Sequence, residues 1–167
     1  MKTKTITFCS LCFCAALFAA DAPIDFKKRD PNAGPTVITS DRLEFDYNEF
    51  IALFDGKVKV IDPQFTLAAD KMLIFFENTN DVKRVDAIGS VVLTNGNMTA
   101  ICGKATYTAK NGQVQLNSPN GEPPPVVTKD ETRISGAVMS VWLNEQRVTV
   151  DKDVVMEIHA VSSPKKQ

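Results

Sequence analysis

The chain has 167 residues, with 19 Lys and Arg against 20 Asp and Glu, for a net charge of −1. A near-neutral balance lacks the basic footprint of a nucleic-acid binder, and the length suits a single domain with a real core. One histidine and four cysteines leave little material for metal clusters or His-based catalysis.

The chain opens on a targeting segment. Lys2 and Lys4 precede an uncharged apolar run from Ile6 to Ala20, which ends on the small Ala19 and Ala20. That is the pattern of a secretory signal peptide, and the run falls short of the ~20 residues that a spanning helix needs. Residues 1–20 are therefore read as a cleavable signal. Residues 21–35 follow as a flexible leader holding Pro23, Pro31, Gly34 and Pro35. Cleavage takes Lys2 and Lys4, so the mature chain is more acidic, and also takes Cys9, Cys12 and Cys14. Cys102 is then alone, which leaves no intrachain disulfide. Between Ile101 and Gly103 it reads as a small buried apolar side chain.

From 36 to 159 nearly everything alternates. Leu43 and Phe45 share one parity. Val58 and Val60 oppose Lys57 and Lys59. Phe65, Leu67 and Ala69 oppose Thr66, Ala68 and Asp70, and 113–116 and 147–150 behave likewise. Period two marks strands with one buried face. Turn signals recur between them, of which Asn95-Gly96 and Asn111-Gly112 are tight-hairpin dipeptides. Gly56, Gly89, Gly103 and Gly136 sit inside strand patterns, where glycine marks a bulge or bend. Three stretches also repeat. Gly56 to Asp70 and Gly89 to Gly103 are equal intervals, and a third copy from Gly112 to Gly136 is lengthened by the proline-rich 119–125. That insertion reads as a stiff hairpin tip rather than a polyproline partner site. The expectation is an all-β, antiparallel fold of about ten to twelve strands. Its sheet folds over into a β-jellyroll or sandwich built from repeated strand units, and residues 160–167 form a disordered tail.

Three segments carry a family resemblance. They are 38–43 followed by 54–60 and 67–72, then Val82-Lys83-Arg84-Val85-Asp86-Ala87-Ile88-Gly89-Ser90-Val91, then Gly103-Lys104-Ala105-Thr106-Tyr107. In order and spacing they resemble the OstA-like family, the periplasmic lipopolysaccharide-transport proteins typified by LptA. The resemblance spans Val37 to Ile158. It implies a folded-over jellyroll whose interior carries lipid A acyl chains, and it implies head-to-tail stacking into a homo-oligomer. Implied partners are lipopolysaccharide and the inner- and outer-membrane transport components of the same jellyroll family. A cleavable signal favours the soluble periplasmic bridge over the anchored member, and a chain of this length without a barrel excludes the full outer-membrane member. Gly103, where the earlier copies have Asp41 and Asp70, and the proline-rich loop depart from the pattern.

The residues argue against catalysis. His159 stands at the edge of the tail, and no HExxH or CxxC arrangement occurs. Asp151 and Asp153 flank Lys152 as a solvated edge. Asp41 and Asp70, at matching repeat positions, suggest a shared turn role. A carbohydrate-active enzyme needs two carboxylates in a cleft, and the sequence singles out none. The expectation is therefore a non-enzymatic protein without cofactors. Asn97-Met98-Thr99 fits a glycosylation sequon but is set aside because the resemblance is bacterial. An apolar interior is enough to hold lipid, and its candidate lining is Leu43, Phe45, Phe54, Val58, Leu67, Met72, Ile74, Phe76, Val91, Leu93, Tyr107, Val138 and Trp142. Ordinary core packing is the alternative for each. Lys57, Lys59, Lys71, Lys83 and Arg84 are candidates for headgroup phosphates at the rim, with a solvated outer face as their alternative. The rival reading of the whole is a non-catalytic structural or adaptor module that assembles through edge strands without lipid.

Overall fold

The structure, a computed structural model, describes residues 34–78, 81–119, 121–142 and 147–158. The expected signal peptide, most of the leader, His159 and the tail lie outside the described residues. Twelve strands follow in chain order: β1 (Val37–Thr39), β2 (Arg42–Asp46), β3 (Ile51–Ile61), β4 (Thr66–Phe76), β5 (Val82–Asn95), β6 (Met98–Thr108), β7 (Gln113–Asn117), β8 (Val126–Lys129), β9 (Thr132–Ser135), β10 (Val138–Trp142), β11 (Arg147–Asp151) and β12 (Val155–Ile158). All belong to one sheet, and every pairing is antiparallel.

The four long strands β3 to β6 set the architecture, because each runs the full width of the sheet and is broken by a register slip on the way. The outer two, β3 and β6, also change a neighbour. The register slips between Asp55 and Val58, between Ala68 and Lys71, and between Ile88 and Val91. Before its slip β3 pairs with β2, and after it with β1. The first part of β6 pairs with β8 and its second part with β7. The sheet is thus creased into two leaves. One holds β2, the adjoining parts of β3 to β6, then β7, β10 and β11. The other holds β1, the remaining parts of those strands, then β8, β9 and β12.

The crease has a repeated local chemistry. Gly56 and Lys57 both adopt positive φ (82° and 49°), as do Gly89 and Ser90 (78° and 47°). A Gly-X pair in this conformation inserts an extra residue and kinks the strand. An aspartate packs on each glycine, Asp41 from the bend between β1 and β2 and Asp70 from β4. A Cβ on Gly56 would lie 2.8 Å from Asp41 Oδ2, and one on Gly89 would overlap Asp70. The residue after the glycine then binds that carboxylate, Lys57 as an ion pair at 3.3 Å and Ser90 by donating from Oγ at 3.2 Å. Asp41 and Asp70 therefore fill the turn role that their matching positions suggest.

Two details of the repeat are corrected. Gly112, the nominal third copy, lies in the turn before β7 and not at the crease. The left-handed pair on that side is Lys152-Asp153 (61° and 52°), facing Gly136 and Ala137, whose amide donates to Lys152 O at 2.9 Å. The proline-rich segment is not a hairpin tip either. β7 and β8 pair with opposite ends of β6, so the chain between them must cross the crease. Pro119 and Glu122 there occupy the space that a side chain at position 103 would need, Ser118 Oγ accepts from Gly103 N at 3.0 Å, and Pro125 is buried.

The core is the space between the leaves. Ala87, Ala105, Leu116 and Met139 of one leaf cluster with Ala69, Val91, Ala100 and Cys102 of the other. Ala52, Met72 and Ile74 meet Val58, Val60 and Phe65 in a second cluster, and Leu67 and Leu93 pack against both.

Candidate functional site

Strand register turns the interior into three apolar rows. The first runs Leu43, Phe54, Met72, Ala87, Ala105, Leu116, Met139, Val150. Beside it run Phe45, Ala52, Ile74, Val85, Tyr107, Val114, Val141, Val148. On the other leaf run Ile38, Val60, Leu67, Leu93, Ala100, Val127, Ile134, Met156. Each row crosses its leaf from edge to edge without a charged side chain. Alternation sends the neighbouring positions, such as Lys59, Lys71 and Lys104, to the outer face.

Eleven of the lining candidates lie at inward-facing positions, and their exposure differs. Val58, Met72, Ile74, Val91 and Tyr107 are buried, Phe54, Leu67, Phe76 and Leu93 are half-buried, and Leu43 and Phe45 are open to water. Val138 and Trp142 are corrected. They alternate with Met139 and Val141 and so lie on the outer face, where Arg147 stacks over the Trp142 ring at 3.9 Å. Four of the five residues of β10 are apolar, so alternation in the sequence carried no phase there. Met139 and Val141, the inward pair, were missed for that reason. Partners that alternate cleanly, such as Val114 with Leu116 and Val148 with Val150, were recoverable by the same period-two rule.

The cationic candidates separate into two groups. Lys57 stands at the crease on Asp41, and Lys71 lies beside it on the outer face, 3.5 Å from Asp55. Lys83 and Arg84 stand at the far end of β5, away from the crease. Arg84 covers the Phe75 ring at 4.0 Å and reaches Asp86 at 3.3 Å. Asp86 is a buried outer-face carboxylate that also meets Lys104 at 3.8 Å, while its Oδ1 has no hydrogen-bond partner. Lys129, which the sequence reading passed over, shares the parity of Val127 and ends that row's strand at the leaf rim. Burial pushes the Cys102 thiol up to about 11, partly offset by a backbone hydrogen bond from Lys104, so it serves as packing rather than as a nucleophile. Among the described residues, no three His, Cys, Asp or Glu gather as metal ligands.

The geometry is thus a creased antiparallel sheet whose inward faces carry no charged side chain along the three rows. Residues 37–147 match the family described as the LptA/(LptD N-terminal domain) LPS transport protein, and the chain belongs to that family. It is accordingly a transport protein and not an enzyme. Its fold is similar to that of LptH from Pseudomonas aeruginosa, the LptA-homologous periplasmic component of the lipopolysaccharide transport device. The TM-score is 0.66 at 14% identity, over 75% of this chain and 96% of that one. A search of curated proteins finds no match.

Proposed function

We propose that this protein is a periplasmic carrier that holds the acyl chains of lipopolysaccharide between its two leaves and bridges inner- and outer-membrane transport components. The observation that supports this most is the unbroken apolar character of the three inward rows from one edge of the sheet to the other. Burying one methylene is worth about 0.8 kcal/mol, so a twelve-carbon acyl chain carries roughly 9 kcal/mol of gross drive into such a trough, before ordering costs. Small inward residues (Ala52, Ala69, Ala87, Ala100 and Ala105) keep side-chain bulk between the leaves low, and Met72 and Met139 are side chains that re-pack readily. Export by the signal in residues 1–20 puts the carrier where its cargo travels. Head-to-tail stacking of copies would join the troughs.

The complete burial of Val91 and Met139 favours the second reading, an adaptor with a filled core and no cargo. Photoreactive residues at Phe54, Leu67 and Ile74, with outward Lys59 as control, separate the two in cells. Lipopolysaccharide adducts at the first three and not at Lys59 are expected. A folded, exported protein without adducts would refute the carrier reading in favour of the adaptor.

A further inference from the structure

At the end of β2 away from the crease, the inward apolar face passes into water in three aromatic steps. Phe76 is half-buried and packs against the second core cluster. Phe45 follows at a ring-centroid distance of 5.9 Å and is 37% exposed. Tyr47 lies 4.6 Å from Phe45 and is 80% exposed. Ala52, the partner of Phe45 on β3, is small enough to let the Phe45 and Phe76 rings meet across it. A ring as open as that of Tyr47 buries little area, so folding gains little from it. Its place at the end of the series therefore points to an occupant outside the fold.

The support under this ring is ordered. Asp46 Oδ1 accepts from the amides of Asn48 at 2.8 Å and Glu49 at 3.1 Å. Phe50 holds a φ of 53°, which a bulky side chain rarely adopts, and its carbonyl accepts from Phe76 N at 2.9 Å. A turn fixed in this way loses little further freedom when a ligand settles on it.

The surroundings select the occupant. The Phe50–Phe76 contact sets the turns 46–50 and 77–81 side by side, and together they carry Asp46, Glu49, Glu77 and Asp81 with no Lys or Arg. Such an end repels an anionic bilayer or free phosphate. It offers acceptors to hydroxyl donors instead. A saccharide supplies those hydroxyls, and the weakly positive C–H faces of its rings suit the negative face of an aromatic ring.

Resting on the carrier reading, we propose that this rim is a saccharide subsite. A sugar ring of the cargo's head stacks on Tyr47, while the acyl chains pass Phe45 and Phe76 into the trough. The three rings thus match the change from hydrocarbon to sugar along a single amphiphile.

The test compares lipopolysaccharide with dodecanoate, which has a tail but no sugar, by displacement of a fluorescent apolar probe from the purified protein. Tyr47→Ala is expected to weaken lipopolysaccharide binding about three- to tenfold, the range of one aromatic stacking contact, and to leave dodecanoate binding unchanged. Tyr47→Phe, which keeps the ring, is expected to bind lipopolysaccharide like the parent. Equal losses for the two ligands in Tyr47→Ala, no loss for either, or a Tyr47→Phe protein as weak as Tyr47→Ala would overturn the subsite and leave the carrier reading standing. A parent that binds neither ligand would overturn the carrier reading itself.

Discussion

The crease can be tested at Gly89. Its φ of 78° lies in the left-handed region, and a Cβ there would overlap the Asp70 carboxylate, which also accepts from Ser90 Oγ at 3.2 Å. Gly89→Ala therefore meets two costs. The left-handed backbone costs a residue with a Cβ roughly 1–2 kcal/mol. Displacing Asp70 forfeits the Ser90 hydrogen bond, worth about 0.5–1.5 kcal/mol. The expected loss is about 1.5–3.5 kcal/mol, the sum of those two ranges. Asp70→Ala alone loses only the hydrogen bond, and in the Asp70→Ala background the alanine at 89 no longer has a carboxylate to displace. The two changes together should then cost clearly less than their sum, a coupling that independent sites do not have. Urea unfolding followed by the fluorescence of Trp142, the sole tryptophan, measures all three. A Gly89→Ala protein within about 0.5 kcal/mol of the parent, the range of an ordinary surface substitution, would refute the account of the crease. Strict additivity would refute the packing of Asp70 on Gly89.

Met139→Ala should cost about 2–5 kcal/mol by leaving a cavity between the leaves, read as a shift in urea midpoint. Lys57→Ala should change stability by less than about 1 kcal/mol, because its bridge to Asp41 is solvent-exposed. The face assignment of β10 predicts that Val141→Glu disrupts the near-ultraviolet circular dichroism of the folded protein, whereas Trp142→Glu leaves the remaining tertiary signal intact. Cys102 should resist iodoacetamide in the folded state and react once urea unfolds the protein. Its folded thiol keeps its proton to about 11 while the unfolded thiol releases it near 9.0. The unfolded state therefore deprotonates first, and the contribution of this site to stability falls as pH rises from 9.0 towards 11. In Cys102→Ser that fall should be absent.

Much of the fold was legible because alternation is a local signal. The hairpin dipeptides at 95–96 and 111–112 mark the turns before β6 and β7, and the paired roles of Asp41 and Asp70 followed from equal repeat spacing. What escaped depended on which strands become neighbours. Glycine at 112 resembles the crease glycines in its local sequence, but its strand β7 starts after the turn and stays within one leaf. The proline-rich segment looks like a hairpin tip until β7 and β8 are seen on opposite ends of β6. In β10 the alternation was drowned by apolar residues on both faces, so Val138 and Trp142 were set inside in place of Met139 and Val141.

The crease also explains why the interior stays apolar across a parity change. In β3 and β5 the Gly-X pair adds one residue, so Phe54 and Val58, like Ala87 and Val91, face inward on either side of it. In β4 and β6 no residue is added, and the inward positions switch parity, from Ala69 to Met72 and from Cys102 to Ala105. An uninterrupted period-two strand in β4 would carry Lys71 and Leu73 inward in place of Met72 and Ile74, since a one-residue slip exchanges the two faces of a strand. The alternating use of bulge and no bulge thus keeps cations such as Lys71 and Lys104 outside while both leaves present hydrocarbon to the space between them. On the proposed carrier reading, the same residues specify both the trough and the fold. A substitution at a crease glycine should therefore reduce lipid adducts and stability together, whereas a substitution at an outward lysine such as Lys59 should alter neither.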